Sequence, residues 1–151
     1  MPRIASVRSA GSFLLLALFS LAAKSSPTCA NPIGKWTNQI TPKSTLTITS
    51  VDAQTGQLSG SYSSPSGTAG QEFPLVGWLS KAPSALGKDN VVVISFAVNW
   101  GSYHTVTSWS GVCRSSAGSG DSLVALWHLA NPVASYEWAH VLSGQDTFNP
   151  Q

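Results

Sequence analysis

The chain has 151 residues, of which 42% are hydrophobic and only 9% charged, with eight Lys plus Arg against six Asp plus Glu. That length suits one compact domain with a proper core. The cations Lys24, Lys35, Lys43, Lys81, Lys88 and Arg114 are scattered and form no basic patch, which excludes nucleic-acid binding as the working class.

Residues 1–23 read as a secretory signal peptide. Arg3 and Arg8 precede an apolar run at 13–23 that ends in the small residues Ala22 and Ala23. The run is much shorter than the roughly twenty residues that a membrane span needs, so no membrane insertion is expected. Cleavage after Ala23 is expected, with Ser25 or Ser26 as alternatives, leaving one domain at 24–151. Arg3 and Arg8 leave with the leader, so the remaining charge is balanced. Cys29 and Cys113 are the two cysteines, and in a secreted, extracellular chain they are assigned to one disulfide tying the N-terminus to a later strand. His104, His128 and His140 lack zinc spacing, so no metal is expected, and no Asn-x-Ser/Thr glycosylation acceptor occurs.

From Gly34 onward, short stretches rich in Thr, Val, Ile, Trp and Tyr alternate with Gly, Pro, Ser and Asn clusters, which reads as all-β. Strands are predicted at 34–38, 45–51, 58–63, 71–79, 91–99, 103–113, 122–129 and from 138 to 142 or on to 148. Eight successive strands with short connections favour an antiparallel up-and-down β-barrel with room for one small ligand, and a two-sheet sandwich is the alternative. The polar connection at 63–70 is a candidate lid or a solvated hairpin loop.

Residues two apart in a strand share a face. By that rule Trp138, His140, Leu142, Gly144, Asp146 and Phe148 line up, with Asp146 the one carboxylate among apolar neighbours. A buried carboxylate is costly without hydrogen bonds, so Asp146 either anchors a ligand inside aromatic walls or ends a strand at the surface. The same rule groups Tyr62 with Ser64, Tyr103 and Thr105 with Thr107 and Trp109, and Trp127 with Leu129. Six tryptophans are many for a small barrel, and some are expected to line a cavity instead of filling a core. No G-x-S-x-G elbow occurs and the acids are widely spaced, so recognition without catalysis is the expected activity. A lipocalin-like carrier of another small ligand is one alternative and a secreted β-rich hydrolase a remoter one.

The segments Gly34-Lys-Trp-Thr-Asn38, Gly60-Ser-Tyr62, Val98-Asn-Trp100, Trp109-Ser-Gly111, Leu126-Trp127-His-Leu129 and the closing run from Trp138 to Phe148 resemble, in order and spacing, the avidin and streptavidin family of biotin-binding proteins. The nine-residue step from Trp100 to Trp109 and the two cysteines are more similar to avidin than to the bacterial member. The resemblance implies a secreted homotetramer that sequesters biotin at one end of each barrel, with no catalytic residue and no cofactor.

Carried onto this chain, the family pattern implies that Asn38, Ser44 and Tyr62 donate to the ureido oxygen of biotin while Ser64 and Asp146 accept from its two N–H groups. Thr107 falls where the family contacts the ring sulfur. Trp100, Trp109 and Trp127 wall the bicycle with Leu129 beside them, and Trp138 is lent by a neighbouring subunit. The valeryl carboxylate meets backbone N–H groups at Gly67 and Thr68 and the hydroxyls of Tyr103 and Thr105. Four departures stand out: a longer connection at 40–44 before Ser44, Tyr103 where a small residue is common, Ser66 in place of an apolar lid residue, and Ser143, more polar than the family's interface position on the outward face of the last strand, which implies a softer tetramer contact.

Overall fold

The structure is a computed structural model that describes residues 25–81, 91–116 and 120–151. The expected signal peptide at 1–23 lies outside the described residues. Eight strands follow in chain order, β1 (Gly34–Asn38), β2 (Thr45–Val51), β3 (Gln57–Ser63), β4 (Glu72–Lys81), β5 (Val92–Asn99), β6 (Val106–Ser116), β7 (Gly120–Ala130) and β8 (Val141–Pro150). Each pairs antiparallel with the next, and β1 also pairs with β8, Asn38 opposite Phe148. The sheet is therefore a closed eight-stranded barrel, which removes the sheet edges and rules out the sandwich alternative.

The two-residue period of a strand decides what the interior holds. Along β5, Val92, Ile94, Phe96 and Val98 are buried, while Val93 and Ser95 between them and Asn99 after them face out. Trp36, Leu46, Ile48, Leu58, Val98, Leu123 and Phe148, contributed by six different strands, are the most completely buried side chains. Because the strands alternate in direction, the connections 39–44, 64–71, 100–105 and 131–140 all emerge at one end of the barrel. The N-terminal segment lies toward the other end. It is tied there by the Cys29–Cys113 disulfide, by the Cys29 N–H donating to the Asp121 carboxylate at 2.5 Å, and by the Trp36 indole N–H donating to the Pro32 carbonyl at 2.9 Å.

Two sequence expectations are corrected here. β6 begins at Val106, so Tyr103 and Thr105 precede the strand. Residues Gly101–Tyr103 form a 3-10 turn, His104 follows in the left-handed region at φ 56°, and the Trp100 N–H closes the loop onto the Thr105 carbonyl. Likewise Trp138 does not share the Asp146 face of β8. It sits in a second 3-10 turn, Glu137–Ala139, closed by the Ala139 N–H on the Tyr136 carbonyl, and the strand starts only at Val141. In both places local backbone bonding interrupts the alternation that a period-2 reading extends too far.

Candidate ligand site

Register brings the polar residues of distant strands to the open end. Tyr62 lies between Leu46 of β2 and Phe73 of β4, Thr107 between Val98 and Leu129, and Trp109 between Phe96 and Trp127. There they line a cavity of about 270 Å³ together with Asn38, Ser44, Ser64 and Asp146. Trp100, Trp127, Leu129 and Ser66 complete the part of its wall expected from sequence. An adjoining cavity of about 280 Å³ shares Ser64, Trp100 and Leu129 with the first and adds Gly67, Thr68, Tyr103 and Thr105. Every expected ligand-binding residue except Trp138 thus lines one of the two.

Asp146 is 4% exposed, so its carboxylate is inside the barrel and does not end a strand at the surface. Asn38 Nδ2–H donates to its Oδ1 at 3.2 Å, and the Trp109 indole N–H donates to its Oδ2 at 2.9 Å. Asn38 Oδ1 in turn accepts the Ser44 backbone N–H at 2.8 Å. The chain of bonds has one direction only. Its two ends are a backbone amide and an indole, which donate and never accept, so Asp146 has to present an acceptor on both oxygens. A carboxylate held this way and almost fully buried is a strong acceptor for a neutral N–H donor.

Tyr62 packs against this array, its ring 4.8 Å from Trp109 and edge-on to Trp100 at 5.8 Å. Burial pushes its phenol pKa well above the ordinary value, the Asp146 charge pushes it further, and a hydrogen bond with the Ser44 side chain opposes both. Tyr62 is therefore a protonated hydroxyl, able to donate. The Trp100 indole N–H donates to Thr107 Oγ1 at 2.7 Å, which orients both side chains. Trp109 stacks on Phe96 at 4.9 Å and 11°. Trp127 lies across Gly144, its cross-strand partner: a Cβ at Gly144 would come within 2.4 Å of Trp127 Cζ2. Glycine is what lets that ring lie flat along β8.

The segment expected to act as a lid folds as a single helical turn, α1 (Pro65–Thr68). Both donors of Thr68 are engaged inside it, its N–H and its hydroxyl each bonding the Ser64 carbonyl at 3.1 and 2.9 Å. Thr68 shapes the second cavity but has no N–H left for a ligand. Trp138 stands apart from both cavities, 76% exposed and stacked on Tyr136 at 4.6 Å and 8°.

Sequence reading missed four lining residues. Ile40 and Pro42 come from the long 39–44 connection, and Asn131 and Val133 from the β7–β8 connection. No periodic pattern marks such loop positions; the unusual length of the 39–44 connection was the only available signal. Among the described residues no cluster of His, Cys, Asp and Glu is arranged to hold a metal ion. A larger cleft of about 550 Å³ lies toward the opposite end, but its one charged group, Asp52, caps its own turn through Gln54 and Thr55.

Comparison with known proteins agrees with this geometry. The avidin family profile matches residues 26–151. Among solved structures the chain is similar to bradavidin (28% identity, 78% of each chain covered, TM-score 0.63). It is similar to xenavidin as well (26% identity, 81% of this chain and 98% of that one, TM-score 0.65). Apo shwanavidin shares 32% identity over 79% of this chain and 97% of its own, with a TM-score of 0.59. No curated protein matches the chain. With a closed barrel of eight strands, an aromatic-walled cavity at one end and a match over nearly all the described residues, the chain belongs to the avidin family of biotin-binding proteins.

Proposed function

We propose that this protein is a secreted, non-catalytic biotin-binding protein that sequesters biotin in the open end of its barrel and works as a homotetramer. The observation that carries the reading is the one-way hydrogen-bond chain from Ser44 through Asn38 to Asp146, met from the other side by Trp109. A cyclic urea has one carbonyl acceptor and two N–H donors. The second Nδ2 hydrogen of Asn38 and the protonated Tyr62 hydroxyl suit the carbonyl, with the Ser44 hydroxyl joining them once it turns from Tyr62 to the ligand; Asp146 and Ser64 suit the N–H groups. Thr107, already oriented by Trp100, faces the ring sulfur, while Trp100, Trp109 and Trp127 sandwich the bicycle. The site is ordered during folding, so little ordering cost falls on binding.

The valeryl tail extends into the second cavity, past Ser66 and α1, toward Gly67, Tyr103 and Thr105. Among the described residues Asp146 is the single carboxylate lining either cavity and no histidine lines them, and both Asp146 oxygens are bonded to Asn38 and Trp109 instead of to a hydroxyl, which supports binding without turnover. That polar lining also counts against a lipocalin-like carrier of apolar ligands. Assembly is supported by large apolar side chains left exposed on the outer wall and the β7–β8 connection, Trp78, Leu126, Val133, Tyr136 and Val141 among them. Trp138, on that connection, is assigned to a neighbouring subunit's site, a role supported by its exposure and by its absence from the walls of this chain's own cavities. Secretion is supported by the apolar leader and by the disulfide.

The test is a thermal melt with and without excess biotin, run beside size-exclusion chromatography. A ligand that binds only the folded form raises Tm by mass action, by about 4 kcal/mol of added stability at a thousand times Kd. A large shift on a tetramer-sized species is expected; an unshifted melt refutes biotin as the ligand.

A further inference from the structure

We infer that Asn131, in the β7–β8 connection, is a ligand-binding residue that grips the carboxylate end of the ligand and makes the site selective for an anionic tail over a neutral one. This rests on the biotin reading above and deepens it. Asn131 lines the tail cavity beside Thr68, Tyr103 and Thr105. Its backbone is fully engaged: the N–H donates to the His140 carbonyl at 2.8 Å, and the carbonyl meets His140 Nδ1 at 2.8 Å. Its Oδ1 accepts the Val133 N–H at 3.0 Å, which determines which end of the amide is oxygen. That leaves the two Nδ2 hydrogens with no partner among the described residues.

The surroundings make this donor matter. Among the described residues neither cavity is lined by Lys or Arg, so a tail carboxylate depends there on neutral donors. Thr68 has turned both of its donors to Ser64. The Asn131 amide, with the Tyr103 and Thr105 hydroxyls, supplies what Thr68 does not. Since the same residue clasps the connection that carries Trp138, a tail gripped here also bridges the barrel to that loop.

Asn131→Asp separates this role from a structural one. An aspartate keeps the acceptor for the Val133 N–H, so the turn is retained, while both donors are lost and a negative charge faces the tail. The probes are biotin and its neutral primary amide, titrated against wild type and variant. Wild type is expected to prefer biotin, and the variant to lose at least about tenfold more affinity for biotin than for the amide, as the loss of a charge-assisted bond and a like-charge contact require. Asn131→Ser, which keeps an acceptor and lacks the amide donors, is expected to shift the ratio the same way by less. Equal losses for the two ligands, or no loss, overturn the inference while leaving the biotin reading intact. Failure of wild type to bind either probe overturns the reading on which it rests.

Discussion

Replacing Asp146 with Asn changes one oxygen to an amide group, yet the bond directions around it leave no neutral arrangement. Trp109 Nε1 can only donate, and the Ser44 N–H holds Asn38 with its oxygen toward Ser44 and its NH2 toward Asp146. An asparagine at 146 therefore turns its own NH2 against one of two donors. Flipping Asn38 only moves the clash to Ser44. One buried donor left unmatched costs about 1–3 kcal/mol, which is a fall of roughly 2–12 °C in Tm for a domain of this size. Ligand binding loses a charged acceptor as well. Hydrogen bonds to charged groups contribute about 1.5–3 kcal/mol, so biotin affinity is expected to fall by roughly 10- to 150-fold. Titration calorimetry with biotin and urea unfolding of the unliganded protein measure the two separately. An Asp146→Asn variant that binds biotin as wild type does and melts at the same temperature would refute the one-way bond chain.

Gly144→Ala puts a methyl group 2.4 Å from Trp127 Cζ2 and 2.6 Å from Cε2, and the ring has to shift. Overpacking of this kind costs about 1–3 kcal/mol, and because Trp127 walls the cavity, biotin titration should show a loss of affinity alongside the lower Tm; normal binding would mean that the ring moves outward. Tyr62 makes stability fall at alkaline pH. Its folded pKa is raised above the ordinary 10.0, first by burial and then by the Asp146 charge, so its contribution is complete below pH 10.0 and is lost as pH rises through the folded value. Urea unfolding followed above that pH should show a decline of up to about 1.4 kcal/mol per pH unit, and the decline should be shallower in Tyr62→Phe. Trp138→Lys places a charge at the most exposed tryptophan of the β7–β8 connection. It is expected to speed biotin dissociation and weaken assembly on size exclusion, and a monomer that binds biotin normally contradicts the shared-subunit role.

Much of the site was legible because alternation is a strong code where a strand is half buried. Thr107 and Trp109 in β6, Tyr62 in β3 and Asp146 with Phe148 in β8 all point inward as the two-residue period requires. The same code fails at strand ends. Tyr103 and Trp138 were assigned to strands because their spacing continued the pattern, but each sits in a 3-10 turn whose closing bonds are local backbone contacts that a hydrophobicity pattern does not register. Asn131 gave no sign at all and Pro42 only the unusual length of its connection, since a loop residue becomes part of a wall only through the path of its loop.

What the sequence by itself determined is the all-β class, the approximate strands, the cysteine pair and, in the middle of strands, the side chains that face the interior, which follow from composition, turn residues and period, while Asn38, Ser44 and Trp100 were legible only through the family resemblance. Only the tertiary structure decided who bonds to whom. Asn38 and Asp146 are 108 positions apart and Trp109 and Asp146 are 37 apart, and they meet because the barrel closes β1 onto β8 and sets the register between strands. The direction of each hydrogen bond, the engagement of Thr68 within its own turn and the displacement of Trp138 from the Asp146 face depend on distances and angles across that closed sheet. Such quantities belong to the folded arrangement, because they arise between groups that the linear chain keeps apart.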